Sequence, residues 1–171
     1  MLPVFTPHPV LSSLGLGSID QVAFLVKDVE AAAQVYGALF GAFHTFEVEL
    51  TGSTFRGRPV SPQLRVGFVN HGSIEIEIIE PVSKDGPYQE RLEKYGEGLF
   101  HMRFPVKDFE ASAAALEKAG IRQMFDTHAA GVHVGYFEAP DLIGNLLVEL
   151  ISGEGDDLRH ATLAGVPQPL V

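Results

Sequence analysis

The stretch Asp20-Gln-Val-Ala-Phe-Leu-Val-Lys-Asp-Val-Glu-Ala31 returns 80 positions later as Phe100-His-Met-Arg-Phe-Pro-Val-Lys-Asp-Phe-Glu-Ala111, with the Val-Lys-Asp-x-Glu-Ala core in the same place. A repeat at a fixed offset is the mark of a duplicated structural unit. Each copy reads as a strand running into an amphipathic helix, with Asp28 and Asp108 as N-caps and Gly41 and Gly120 placed to end the helices. Further along, Leu64-Arg-Val-Gly-Phe-Val69 is matched by Val132-His-Val-Gly-Tyr-Phe137. Each half then closes on an apolar strand bearing a Glu, Ile76-Glu-Ile-Ile79 and Val148-Glu-Leu-Ile151.

Both halves therefore follow the order strand, helix, strand, strand, strand. Strands are expected near 19–27, 42–49, 63–69 and 73–80 with a helix near 28–39, then strands near 99–107, 121–125, 132–138 and 145–151 with a helix near 108–119. The fold class is α+β, built of two tandem βαβββ modules spanning 18–81 and 99–152. Residues 82–98 hold a short connecting helix over Pro87–Tyr95, and 1–17 and 153–171 read as an N-terminal arm and a C-terminal tail. One module of this size leaves an apolar sheet face uncovered, and two cover each other.

Composition narrows the functional classes. The 171 residues are 46% hydrophobic and 20% charged, the balance of a globular chain, and too few for a barrel of eight βα units. Twelve Lys+Arg against 22 Asp+Glu give a formal charge of -10, which repels a phosphate backbone, so no nucleic acid partner is expected. There is no cysteine, which excludes disulfides, thiolate metal sites and Cys nucleophiles. Pro3, Pro7 and Pro9 interrupt an N-terminus that also lacks the basic start of a signal peptide, and no apolar run spans a bilayer. A cytoplasmic protein with no membrane partner is the expectation.

Strand alternation assigns faces. In the first strand Val22, Phe24 and Val26 are the set for the helices, which turns Gln21 with Ala23 and Leu25 to the concave side. In the second copy His101, Arg103 and Pro105 take that side; Glu77 goes with Glu75 and Ile79, and Glu149 with Leu147 and Ile151. Under approximate twofold symmetry Gln21 matches His101 and Glu77 matches Glu149, so four oxygen or nitrogen donors converge. Facing buried carboxylates repel each other and lose hydration, which a divalent cation resolves; this donor set suits Zn, Co, Ni, Mn or Fe.

On the motifs Ile19-Asp-Gln-Val-Ala-Phe-Leu-Val-Lys-Asp28, Ile76-Glu-Ile-Ile-Glu-Pro81, Gly96-Glu-Gly-Leu-Phe-His-Met102 and Leu147-Val-Glu-Leu-Ile151, residues 18–152 resemble the vicinal oxygen chelate superfamily. That group includes glyoxalase I, methylmalonyl-CoA epimerase, bleomycin resistance proteins and extradiol dioxygenases. The resemblance implies an open, cup-shaped mixed sheet with helices outside and a metal inside on Gln21, Glu77, His101 and Glu149. It also implies proton abstraction beside a carbonyl whose oxygen the metal engages, with Glu149 as base, and a homodimer. Gln at the first ligand position resembles some glyoxalase I enzymes. One His is too few for the two-His, one-carboxylate iron site of the dioxygenases.

Gly96 to Met102 and the Glu-Pro ending at Pro81 resemble the epimerase branch most. An epimerase needs a second base, and that position falls on Arg65, which does not deprotonate; Glu75 or His133 are the replacements. Leu25, Pro81 and Glu97 stand where glyoxalase I grips glutathione, so no glutathione dependence is expected. Arg65 and Arg103, with His133 matching Arg65, are expected to face the cup and hold an oxyanion. The expected function is a metal-dependent isomerase or lyase acting on a small anionic or acyl substrate. The alternatives are a ligand-sequestering protein of the bleomycin resistance type and a glyoxalase I-like lyase. His8, His44, His71, His128 and His160 read as surface residues, and Gly15-x-Gly17 precedes a strand and so is no dinucleotide loop.

Overall fold

The computed structural model describes residues 14–129 and 131–153, so most of the expected arm and tail lies outside the described residues, as do His8 and His160. In the first half, β1 (Gln21–Leu25) leads into α1 (Val29–Phe40), β2 (His44–Glu49), the short strands β3 (Ser53–Phe55) and β4 (Arg58–Val60), β5 (Gln63–His71) and β6 (Ile74–Pro81). The connecting helix α2 covers Pro87–Tyr95. The second half runs β7 (Gly98–Pro105), α3 (Phe109–Lys118), β8 (Arg122–Ala129), β9 (Val132–Glu138), the single turn α4 (Pro140–Ile143) and β10 (Leu147–Gly153).

Both Val-Lys-Asp repeats break strand into helix by the same device. Asp28 accepts from the amides of Glu30 and Ala31 at 3.0 Å, and Asp108 accepts from that of Ala111 at 2.9 Å. Each cap satisfies amides that the first helical turn leaves without partners, a contribution of about 1 kcal/mol. The second repeated motif is explained by close approach. A Cβ on Gly67 would stand 2.9 Å from Ile78 Cγ1, and one on Gly135 would stand 2.7 Å from Phe109 Cζ. Only glycine lets the neighbouring side chains pack onto the outer face at these two matched positions.

The strands form one sheet in the order β2-β5-β6-β1-β7-β10-β9-β8-β3-β4. At its centre β1 pairs antiparallel with β7, while β6 and β10 run parallel to β1 and β7 respectively, which places the pseudo-twofold axis between the two repeated strands. The architecture is the expected mixed α+β, a curled sheet with α1 and α3 on its outside. Two apolar clusters lie under those helices, one around Val29 and Ile78 and one around Phe109, Leu116 and Leu150, while a third fills the concave side with Leu25, Leu64, Phe68, Phe100, Phe125 and Ile151. Among the described residues no helix is long and apolar enough to cross a membrane.

The β3–β4 hairpin was not expected. It leaves the first module and adds to the far edge of the second, pairing Thr54 with Asp126 and Phe55 with Phe125. Arg56 and Gly57, with φ of 47° and 75°, make its tight turn. Ser53 Oγ donates to Leu50 O at 2.8 Å and lies 2.7 Å from Thr127 Oγ1, closing the far wall. The strand expected to end at 125 also continues to Ala129.

Candidate metal centre in the cup

Four neighbouring central strands, β6-β1-β7-β10, each contribute one donor. The β1–β6 register sets Ala23 beside Glu77 and Gln21 beside Glu75; β1–β7 sets Ala23 beside His101 and Gln21 beside Arg103; β7–β10 sets Arg103 beside Glu149. Parity then turns Gln21, Glu77, His101 and Glu149 to the concave face, all buried. His101 Nε2 lies 2.8 Å from Gln21 Oε1, 2.6 Å from Glu149 Oε2 and 3.5 Å from Glu77 Oε2.

Glu149 Oε2, although this close to the imidazole, is out of line for a hydrogen bond to it and has no other partner among the described residues. Buried polar atoms are normally paired, so an orphaned carboxylate oxygen beside an imidazole nitrogen fits two neighbouring ligands of one cation better than a simple contact. Charge argues the same way. Glu75, Glu77, Glu149 and Asp20 gather around a single guanidinium, that of Arg103. Burial pushes the Glu77 carboxyl well above its usual range, and Glu149 and Glu75 push it further. Burial likewise raises Glu75 to about 7, against the opposing pull of Arg103 and the Gln21 hydrogen bond. The amide oxygen, imidazole nitrogen and carboxylates fit a divalent ion.

Beneath the four donors lies a support that sequence reading missed in part. Gln21 Nε2 donates to Glu75 Oε1 at 2.7 Å. Arg103 donates from Nε and Nη2 to the two carboxylate oxygens of Asp20 at 2.8 and 3.1 Å, and Nη2 also reaches Glu75 Oε1 at 3.4 Å. Arg103 is 0% exposed, yet its Nη1 has no partner among the described residues, and the residue contributes to the cavity wall. The cavity measures about 380 Å³ and is mostly apolar, walled by residues such as Phe46, Val48, Leu64, Val66 and Val134. Tyr88 from α2 and Tyr136 from β9 also line it, their hydroxyls 3.1 Å apart and the Tyr136 ring 5.2 Å from that of His101. Tyr136 shares the parity of Val132 and Val134, the one signal that could have placed it.

Three residues expected at the cavity are elsewhere. On β5 the apolar set Leu64, Val66 and Phe68 takes the concave side, so Arg65 projects outward to Glu80 at 3.0 Å and Glu47 at 3.2 Å. On β9 Val132, Val134 and Tyr136 do the same, and His133 projects outward to Asp126 Oδ1 at 2.7 Å and stacks on Phe109 at 3.5 Å. Arg65 and His133 do match each other, but on the outer face. Glu75 sits below Gln21 and Arg103, away from the cavity wall.

A family model described as the glyoxalase/bleomycin resistance protein/dioxygenase superfamily matches residues 20–136. The chain belongs to this superfamily. Among superfamily proteins it is 30% identical over 138 residues to the human mitochondrial methylmalonyl-CoA epimerase, covering 79% of this chain and 73% of that protein. It is 28% identical over 145 residues to the uncharacterized protein YqjC of Bacillus subtilis, covering 82% and 96%. A methylmalonyl-CoA epimerase in complex with methylmalonyl-CoA and NH4+ has the same fold, with a TM-score of 0.58 at 22% identity over 82% of this chain and 97% of that one.

Proposed function

We propose that this superfamily member is a metal-dependent isomerase that removes a proton beside the carbonyl of an acyl substrate bearing a carboxylate. The observation that carries the reading is the cavity floor. There, Glu149 and Arg103 stand on adjacent strands under an apolar chamber, and each has one buried polar atom, Glu149 Oε2 and Arg103 Nη1, with no hydrogen-bond partner among the described residues. Relatives named methylmalonyl-CoA epimerase, with a substrate that joins a carboxylate to an acyl thioester, support the choice of substrate class.

Gln21, Glu77, His101 and Glu149 are the residues that would hold a divalent ion, whose charge would acidify the C–H bond beside the substrate carbonyl. Glu149 takes the proton. Arg103 Nη1 binds the substrate carboxylate, and the Asp20 and Glu75 carboxylates keep its guanidinium plane fixed while it does so. The apolar wall excludes water and strengthens both interactions. Burial raises Tyr88 and Tyr136 well above the ordinary phenol range, which keeps them neutral as hydrogen-bond donors rather than bases. With Arg65 and His133 outside and Glu75 below the floor, Glu149 is a carboxylate left at the cavity to act as base. Sequestration without turnover has less support, since ligand binding alone has no need of four converging donors.

Solvent-deuterium exchange into methylmalonyl-CoA, a 2-keto acid and a hydroxyketone tests this. Metal-loaded protein should exchange the α-proton of the acyl thioester, and Glu149→Gln should slow it by roughly 10²-fold or more while keeping the native circular dichroism. Exchange into none of the three, or full exchange by Glu149→Gln, overturns the proposal.

A further inference from the structure

We propose that the outer face of the β8–β9 hairpin holds a second divalent transition-metal ion on Asp126, His128 and His133, independent of the cup. His128 and His133 are direct cross-strand partners, and Asp126 stands two residues before His128, so all three share one face of the sheet. Each offers a donor atom, and the donors all lie within 4.8 Å of one another. His133 Nε2 is 2.7 Å from Asp126 Oδ1, and His128 Nδ1 is 3.9 Å from Asp126 Oδ2.

Two of the three donors are already held in place. The His133 ring is stacked between Phe109 at 3.5 Å and His128 at 4.0 Å, and Asp126 accepts a further hydrogen bond from Gln123 Nε2 at 2.8 Å. Ion binding therefore has to order only the exposed His128 ring, and the side-chain entropy it gives up is small. Two imidazoles and one carboxylate select Zn, Ni, Co or Cu over Mg or Ca, whose preference is for all-oxygen shells. Water completes the coordination on the solvent side.

The two centres cannot share ligands. Thr127, Val132 and Val134 alternate with the three donors and line the cup, so the sheet itself separates the sites. The consequence is mechanical. Strand β8 carries the β3–β4 hairpin on its other edge, with Thr54 paired to Asp126 itself, so an ion here ties together the strands that form the far wall of the cup.

Equilibrium dialysis of the full-length, metal-stripped chain against Zn²⁺ provides the test, with Mg²⁺ as the control. Wild type should bind two Zn²⁺ per chain, His128→Ala one, and His101→Asn one; Glu77→Ala replaces His101→Asn if that variant does not fold. In ¹H–¹⁵N spectra Zn²⁺ should shift the ring signals of His128 and His133 in the His101→Asn protein. If the cup reading fails and this one holds, wild type binds one ion, which His128→Ala loses and His101→Asn keeps. An unchanged Zn²⁺ stoichiometry in His128→Ala, or ring signals of His128 and His133 that do not move with Zn²⁺, overturns the outer site.

Discussion

Gln21 Nε2 donates to Glu75 Oε1 at 2.7 Å, and that single bond decides which end of the amide faces His101. A free amide presents its oxygen or its nitrogen with similar ease, but only the oxygen is a metal ligand. Glu75, itself fixed by Arg103, removes the choice and points Gln21 Oε1 at His101 Nε2, 2.8 Å away. Groups behind a ligand commonly matter in this way for affinity.

Glu75→Leu should therefore weaken divalent metal binding in the cup by roughly 10- to 100-fold without touching a donor atom. Competition against a chromophoric chelator measures it. Affinity equal to wild type would show that Gln21 needs no support from below.

The two arginines that the sequence put in one class should separate by experiment. Arg103→Lys keeps the charge but loses the fork that spans Asp20 and leaves Nη1 for substrate, so KM should rise by about tenfold or more, as about 1.4 kcal/mol of lost binding requires. Arg65→Met removes only the outer contacts to Glu80 and Glu47 and should leave steady-state kinetics unchanged. Equal kinetic damage from both would contradict the placement of β5.

Metal-free protein should lose stability as pH rises. Glu75, held up near 7 from the usual 4.5, and Glu77, raised well above that same value, keep protons in the folded state that the unfolded chain has released. The folded state thus binds more protons between about 4.5 and 7, so stability is fullest below 4.5 and falls as pH climbs through that window. Thermal melts of stripped protein at pH 5 and pH 7.5 check the sign. Glu75→Gln should flatten the difference, and Zn²⁺ at pH 7.5 should restore the lost stability.

Much of the site was legible because duplication and strand parity are both local rules. The 80-residue offset pairs Gln21 with His101 and Glu77 with Glu149, and alternation turns all four the same way once the apolar faces of β1, β7, β6 and β10 are recognised. Arg65 and His133 obey the same rule, and it turns them outward. Their strands carry apolar residues on both faces, Leu64 and Val66 on one and Gly67 and Val69 near the other, and a basic side chain was given the cup on chemical grounds when parity favoured the outside. The β3–β4 hairpin escaped because three-residue strands around an Arg-Gly turn carry almost no periodic signal.

The sequence by itself determined the doubling, the helix starts at Asp28 and Asp108, the α+β class and which four polar side chains meet in the cup, since each depends on residues near one another in the chain or on a repeat that can be read directly. Only the tertiary structure decided that Arg103 is held from behind by Asp20 and Glu75, that Tyr88 reaches the cavity from the connecting helix, and that a hairpin of the first half closes the wall of the second. Those contacts join residues 28 to 83 positions apart. They depend on how the sheet curls, which burial of the shared concave core fixes and no local pattern encodes.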